Sequence, residues 1–170
     1  RRFFSQGKAH LRYNETLRAL IQKIKYGKRF ELAQLLGKKL EAVPPFAENI
    51  DFITAVPMTH SEKFQREISL SEIFAKRLAR RWAVPYRPLL RKRRRTPPQA
   101  GLPRKERLRN LEDAFEIRYK KGLVNRNILV VDDVLTTGAT LEEASKTLKE
   151  AGAKKVFIVA LARAGRYENS

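Results

Sequence analysis

Apolar positions along the chain fall into two patterns. Where they recur three and four residues apart, they predict amphipathic helices. Leu17, Leu20, Ile21 and Ile24 do so behind Asn14, a helix-capping residue type, and Lys23 and Lys25 suit a helix C-terminus. The spacing predicts a helix from Asn14 to about Lys25, stopped by Tyr26-Gly27. Leu32, Leu35, Leu36 and Leu40 predict a second helix, Phe30 to Leu40, with these leucines facing inward and Pro44-Pro45 ending the segment. Leu70, Ile73, Phe74 and Leu78 predict a third, from Ser69 to Trp82, and Leu141, Ala144, Leu148 and Ala151 a fourth, from Leu141 to Glu150, closed by Gly152. Where apolar residues run without interruption, they predict strands buried on both faces. Asp51 to Pro57, Ile128 to Val131 and Lys155 to Ala162 are such runs. Ala114 to Ile117 reads as a short strand, Lys120-Lys121-Gly122 as a turn, and residues 1–11 as irregular and basic. Buried strands alternating with amphipathic helices predict an α/β fold: a parallel, doubly wound sheet with helices on both faces.

The chemistry concentrates where one predicted strand meets one predicted helix. Ile128-Leu-Val-Val131 is followed by Asp132 and Asp133, then by Thr136-Thr-Gly-Ala-Thr140, then by the fourth helix. A hydroxyl-rich loop at a helix N-terminus favours an anion, because the first backbone N–H groups lack internal partners and the helix dipole is positive there. Gly138 permits close approach of the backbone, and Thr136, Thr137 and Thr140 can donate hydroxyl hydrogen bonds. Two carboxylates beside a phosphate loop conflict unless the ligand carries hydroxyls as well. Carboxylates accept from hydroxyls, as an acidic residue does for ribose in dinucleotide sites. A sugar 5-phosphate with free 2- and 3-hydroxyls satisfies both halves. The plainer alternative is a turn whose threonines only cap a helix and whose aspartates are solvated; the order of apolar run, acid pair, Thr-Gly-x-Thr and helix argues against it.

Composition narrows the classes. At 170 residues and 42% hydrophobic, the chain is expected to form a single domain with a real core. It has no cysteine, which excludes disulfides, cysteine-ligated zinc and a cysteine nucleophile, and two histidines make a histidine metal site a poor fit. Arg1-Arg2-Phe3-Phe4 opens no signal-like apolar stretch, and no run reaches membrane-spanning length, so a cytoplasmic location is expected. The formal net charge of +19 predicts attraction to polyanions. The charge peaks between Arg87 and Arg109, where ten Lys and Arg face Glu106 alone and Pro97, Pro98, Gly101 and Pro103 oppose regular structure at the centre. This stretch is expected to be a mobile basic loop that closes over a polyphosphate or contacts nucleic acid through its backbone. It lacks interleaved aromatics, so base stacking is not expected there. A P-loop is not expected: Gly7-Lys8, Gly27-Lys28 and Gly37-Lys38 are followed by Ala, Arg and Lys rather than Ser or Thr.

The acid pair and threonine loop resemble the phosphoribosyl pyrophosphate (PRPP) signature of type I phosphoribosyltransferases. More of the chain resembles the competence protein ComF branch of that family. The matching pieces are Leu17 to Ile21 with Ile24-Lys25-Tyr26, Val56-Pro57, Arg95-Thr-Pro-Pro-Gln99 with Leu102, Arg107-Leu-Arg-Asn110 with Ala114-Phe115, Val131 to Thr140, and Ala151-Gly-Ala153.

The resemblance implies a division into a helical hood part, residues 1–50, and a core, residues 51–170, carrying the basic loop 87–109. It implies that Asp132 and Asp133 bind the ribose hydroxyls and act in catalysis, and that Thr136, Thr137, Gly138, Ala139 and Thr140 hold the 5-phosphate. Pro57, Met58, Arg66, Arg95, Arg104 and Arg107 become candidates for the pyrophosphate. Mg²⁺ would arrive with PRPP, held by ligand oxygens and water with Asp132 and Asp133 as the protein's contribution, and no all-protein metal site is expected. The implied activity is transfer of a phosphoribosyl group to a nitrogen acceptor, and the alternative is a non-catalytic PRPP or nucleotide sensor associated with DNA in competence. The implied partners are a phosphoribosyl ligand, nucleic acid at the basic loop, and a second copy of the chain as a homodimer.

Three departures qualify the resemblance. The four-cysteine zinc module common in the family is expected to be absent or removed, since this sequence has no cysteine. Arg66-Glu-Ile-Ser-Leu70 stands where an Arg-Gly-Phe-Asn-Gln stretch is usual. Thr136 occupies the loop position where purine-salvage relatives carry an acid, so no carboxylate is offered there to an incoming purine.

Overall fold

The computed structural model describes residues 2–58, 68–93 and 113–165. Its element order is β1 (Gln6–Arg12), α1 (Glu15–Gly27), α2 (Phe30–Leu40), β2 (Phe52–Ala55), α3 (Leu70–Trp82), β3 (Leu90–Lys92), β4 (Phe115–Ile117), β5 (Asn127–Leu135), α4 (Ala139–Glu150) and β6 (Lys155–Arg163). Four strands form one sheet in the order β1-β6-β5-β2. Every pairing in it is parallel, so the central strands β5 and β6 are covered on both faces. Their burial explains the uninterrupted apolar runs: Ile128 to Val131 and Val156 to Ala162 are all buried. β3 and β4 make a separate antiparallel pair.

Side chains alternate across β5 and divide the core into two layers. Leu129 and Val131 pack with α1, α2 and α3 through Ile24, Leu40, Phe74 and Leu78. Ile128 and Val130 pack on the other face with α4, β3 and β4 through Leu141, Leu148, Leu90 and Phe115. Phe74, Leu78, Leu129 and Ile128 are all fully buried. Removing one such side chain from water contributes about 1.5–3 kcal/mol. The expected doubly wound α/β architecture is therefore present.

Capping fixes where the helices begin. Asn14 accepts the Leu17 amide at 2.8 Å, and Ser69 accepts the Glu72 amide at 3.3 Å. α2 and α3 approach closely at Gly37, where a Cβ would lie 2.5 Å from Arg77 Cδ and 3.3 Å from a ring carbon of Phe74.

Four local expectations are corrected. Gln6 to Arg12 is not irregular: it is an edge strand that pairs with β6 from Gln6–Phe157 to Arg12–Arg163. Its sequence hides this because Gly, Lys and His interrupt it and a half-exposed edge needs no continuous apolar run. α1 is not stopped by Tyr26-Gly27 but by Lys28, which takes the left-handed conformation (φ 51°). Leu35 is not inward but 60% exposed, and the buried face of α2 is Ala33, Leu36, Gly37 and Leu40. α4 begins at Ala139 rather than Leu141, which makes Ala139 and Thr140 part of its first turn. Of the basic stretch 87–109, Leu90 to Lys92 is strand and Arg87 packs over the Phe52 ring at 4.0 Å.

Candidate functional site

β5 continues past its apolar run and carries the acid pair within the strand, ending at Leu135. Asp132 and Asp133 are both buried. Asp132 Oδ1 accepts from the Ser71 hydroxyl at 2.9 Å and from the Asp133 amide at 2.8 Å. Ser71 lies in the first turn of α3, so the helix after β2 is tied to the strand end by this bond. Asp133 Oδ1 accepts from the Val134 amide at 2.9 Å, and Oδ2 forms an ion pair with Lys25 of α1.

The two carboxylates differ electrostatically. Burial pushes Asp132 up, to about 7, and the neighbouring Asp133 adds to the shift against its hydrogen bonds. Burial would push Asp133 up as well, but Lys25 outweighs it and holds Asp133 below the ordinary carboxylate range. In the absence of ligand, Asp133 is the charged member and Asp132 the one that resists ionisation.

The predicted phosphate loop follows directly. Thr136 is exposed, Thr137 and Thr140 are half-buried, and Ala139 is buried. Gly138 caps α4 with φ 80°, a left-handed conformation that a Cβ would strain, and no side chain caps the helix. The Glu142 amide donates to the Gly138 carbonyl, so the helix starts at the glycine itself. Thr137 Oγ1 lies 3.4 Å from the Ala139 amide. A cleft of about 600 Å³ flanks this loop on the side of β1, with Arg2, Arg163 and Glu142 at its walls. Glu142 accepts the Phe3 amide there.

Among the expected residues, the structure brings Asp132 and Asp133 together with the loop Thr136 to Thr140. Pro57 and Met58 follow β2, which pairs directly with β5, and both are half-buried. Arg66, Arg95, Arg104 and Arg107 lie outside the described residues.

Known proteins share this architecture and part of this sequence. A model of the phosphoribosyl transferase domain matches residues 69–169. The chain belongs to the phosphoribosyl transferase domain family. Within that family it is similar over 160 residues to competence protein F of Haemophilus influenzae, at 31% identity, covering 89% of this chain and 70% of the relative. It is 30% identical to the DNA utilization protein YhgH of Escherichia coli over 161 residues, covering 89% of this chain and 69% of that protein. Membership of the competence protein F branch, expected from the quoted motifs, is thereby shown. The fold also matches a glutamine PRPP amidotransferase from B. subtilis complexed with ADP and GMP, with a TM-score of 0.51 and 23% identity, covering 75% of this chain. The chain spans about a quarter (25%) of that enzyme's length.

Two members of this candidate site escape a reading of the sequence. Lys25 reads there as a helix-terminal cation and as part of the Ile24-Lys25-Tyr26 piece, with no link to the acid pair, and Ser71 is not singled out. Both reach the acid pair through tertiary packing alone, and Lys25 lies outside the matched segment 69–169. Among the described residues, no group of three or more His, Cys, Asp or Glu could hold a metal ion, and no helix is long and apolar enough to cross a membrane.

Proposed function

We propose that this chain binds PRPP, with the 5-phosphate on the loop Thr136 to Thr140 and the ribose hydroxyls on Asp132 and Asp133. One observation carries the reading: a buried acid pair lies near the end of β5, which runs to Leu135, and the short threonine loop after it leads into a helix that starts at Gly138. Backbone donors suit the phosphate. Carboxylate acceptors suit the vicinal hydroxyls, and Asp132 needs a ligand hydroxyl or cation to ionise without penalty.

Mg²⁺ fits this donor set as a partner of the ligand. Two carboxylates without a third are too few for an all-protein cage but enough to supplement phosphate oxygens and water. When bound, the ion would neutralise pyrophosphate charge. The chain's own residues orient the ribose and hold its 5-phosphate.

The activity that suits this arrangement is phosphoribosyl transfer. An acceptor nitrogen would form a bond to the anomeric carbon while the bond to the pyrophosphate oxygen breaks. Pyrophosphate leaves with its electron pair, and the acceptor's proton passes to solvent. Arg66, Arg95, Arg104 and Arg107, with backbone near Pro57 and Met58, are the candidates to stabilise that leaving group. Since the site draws on α1, α3 and β5 together, we take residues 1–170 as one domain.

A second reading rests on the relatives' names. Competence and DNA utilization suggest a DNA-associated protein that senses PRPP or a nucleotide without turnover. Pyrophosphate release from Mg-PRPP across a panel of nitrogen acceptors separates the two. Release abolished in Asp133→Asn supports transfer. Ligand-dependent stabilisation with no release for any acceptor supports the sensor.

A further inference from the structure

We infer that Lys25 is a positioning residue of the proposed ribose subsite: its ammonium, carried in from α1, supplies the positive charge that lets the acid pair receive an anionic ligand without a metal ion of the protein's own. The inference rests on the proposed PRPP reading and specifies where that site gets its cation. Lys25 stands in the last turn of α1 and pairs with Asp133 Oδ2. Their side chains are only 22% and 12% exposed, so water does little to screen the pair. Further contacts orient the two acids from within the chain. The Val134 amide donates to Asp133 Oδ1, and the Ser71 hydroxyl and the Asp133 amide donate to Asp132 Oδ1. Both carboxylates are therefore held by α1, α3 and β5 before any ligand arrives.

Charge explains why a cation is needed here. Among the described residues, the acid pair has no third His, Cys, Asp or Glu beside it to complete a metal cage. The ligand is itself an anion, with its 5-phosphate on the loop Thr136 to Thr140, and like charges one sugar apart repel appreciably in a partly buried site. The start of α4 attracts the phosphate. Lys25 cancels one of the two carboxylate charges that the phosphate must approach. A divalent ion could do the same, but Lys25 is already there, held by the fold. The ion that accompanies PRPP is then needed for its pyrophosphate alone. A phosphorylated ribose without pyrophosphate should bind this site free of metal.

Ribose 5-phosphate is the probe. Its affinity would be measured by titration calorimetry in EDTA and in millimolar Mg²⁺ for the wild type, Lys25→Met, Lys25→Arg and Lys25→Met/Asp133→Asn, with melting curves in Mg-PRPP alongside. The wild type and Lys25→Arg are expected to bind equally in EDTA and in Mg²⁺. Lys25→Met is expected to lose about tenfold or more in EDTA and to recover most of it in Mg²⁺, because a divalent ion then replaces the missing charge. Lys25→Met/Asp133→Asn strands no buried charge, so it serves even where the single variant fails to fold, and its affinity should not respond to Mg²⁺. A wild type that needs Mg²⁺ for ribose 5-phosphate would overturn the inference, as would a double variant that binds only with Mg²⁺. So would a Lys25→Met protein that keeps wild-type affinity in EDTA, or one weakened equally with and without Mg²⁺, which would make Lys25 a structural residue only. If the wild type is stabilised by Mg-PRPP yet does not take up ribose 5-phosphate in EDTA, the inference fails and the PRPP reading stands. A wild type that responds to neither ligand refutes both.

Discussion

Lys25, in the last turn of α1, forms an ion pair with Asp133, the second acid at the end of β5. The contact joins the N-terminal helices to the sheet at the point where the ligand is proposed to bind. It also leaves the acid pair asymmetric, with Asp133 charged and Asp132 reluctant to ionise.

Lys25→Met should therefore do two things. It leaves Asp133 buried without its cation, which destabilises the ligand-free protein by about 1–3 kcal/mol, less than for a fully buried pair because Lys25 keeps some solvent contact. Asp133→Asn in the same chain should recover part of that loss. A double-mutant cycle by urea denaturation measures the coupling, and additivity of the two single changes would show that the pair contributes nothing.

Asp132 makes stability depend on pH. Its carboxyl titrates well above the ordinary Asp range in the folded chain, so the unfolded state releases the proton first as pH rises. Folding stability from this group is full below about pH 4 and is lost as pH rises toward about 7. Asp132→Asn keeps an oxygen for Ser71 and removes the charge. In EDTA and without ligand, the variant should melt a few degrees above the wild type at pH 7.5 and at the same temperature near pH 4. A variant less stable at both values would show that the carboxylate is already compensated.

Gly138 starts α4 in a left-handed conformation with room for a Cβ, since the nearest side-chain atom would be 3.5 Å away. The cost of Gly138→Ala is then backbone strain, about 1–2 kcal/mol. The same change should weaken stabilisation by Mg-PRPP, because the loop amides move. Intact ligand response in a destabilised variant would separate the glycine's structural role from phosphate binding.

How legible this was in the sequence depends on whether a residue's neighbours lie along the chain or across it. β5, β6, α1 and α3 could be read because burial on both faces or on one helical stripe writes itself into periodicity. The junction of β5 with α4 could also be read, because the acid pair, threonines and glycine follow in order. β1 could not: Gln6 to Arg12 is held by its neighbour β6 rather than by its own apolar content. Leu35 misled because its spacing of three from Leu32 fits an inward stripe, whereas packing of Gly37 against α3 turns the stripe of Ala33, Leu36, Gly37 and Leu40 inward and leaves Leu35 outside it. Lys25 and Ser71 reach the acid pair only through tertiary contacts of α1 and α3 with β5.

The most direct test of the account is thermal unfolding with saturating Mg-PRPP, compared with Mg-ATP and with pyrophosphate, for the wild type and for Asp132→Asn/Asp133→Asn. Ligand at about 100 times its Kd stabilises by roughly 2.7 kcal/mol, which at this size raises the midpoint by about 5–10 °C. The account predicts that rise for PRPP alone in the wild type and none in the double variant. An equal rise with every polyphosphate, or one that survives loss of both carboxylates, would contradict a PRPP site at the end of β5.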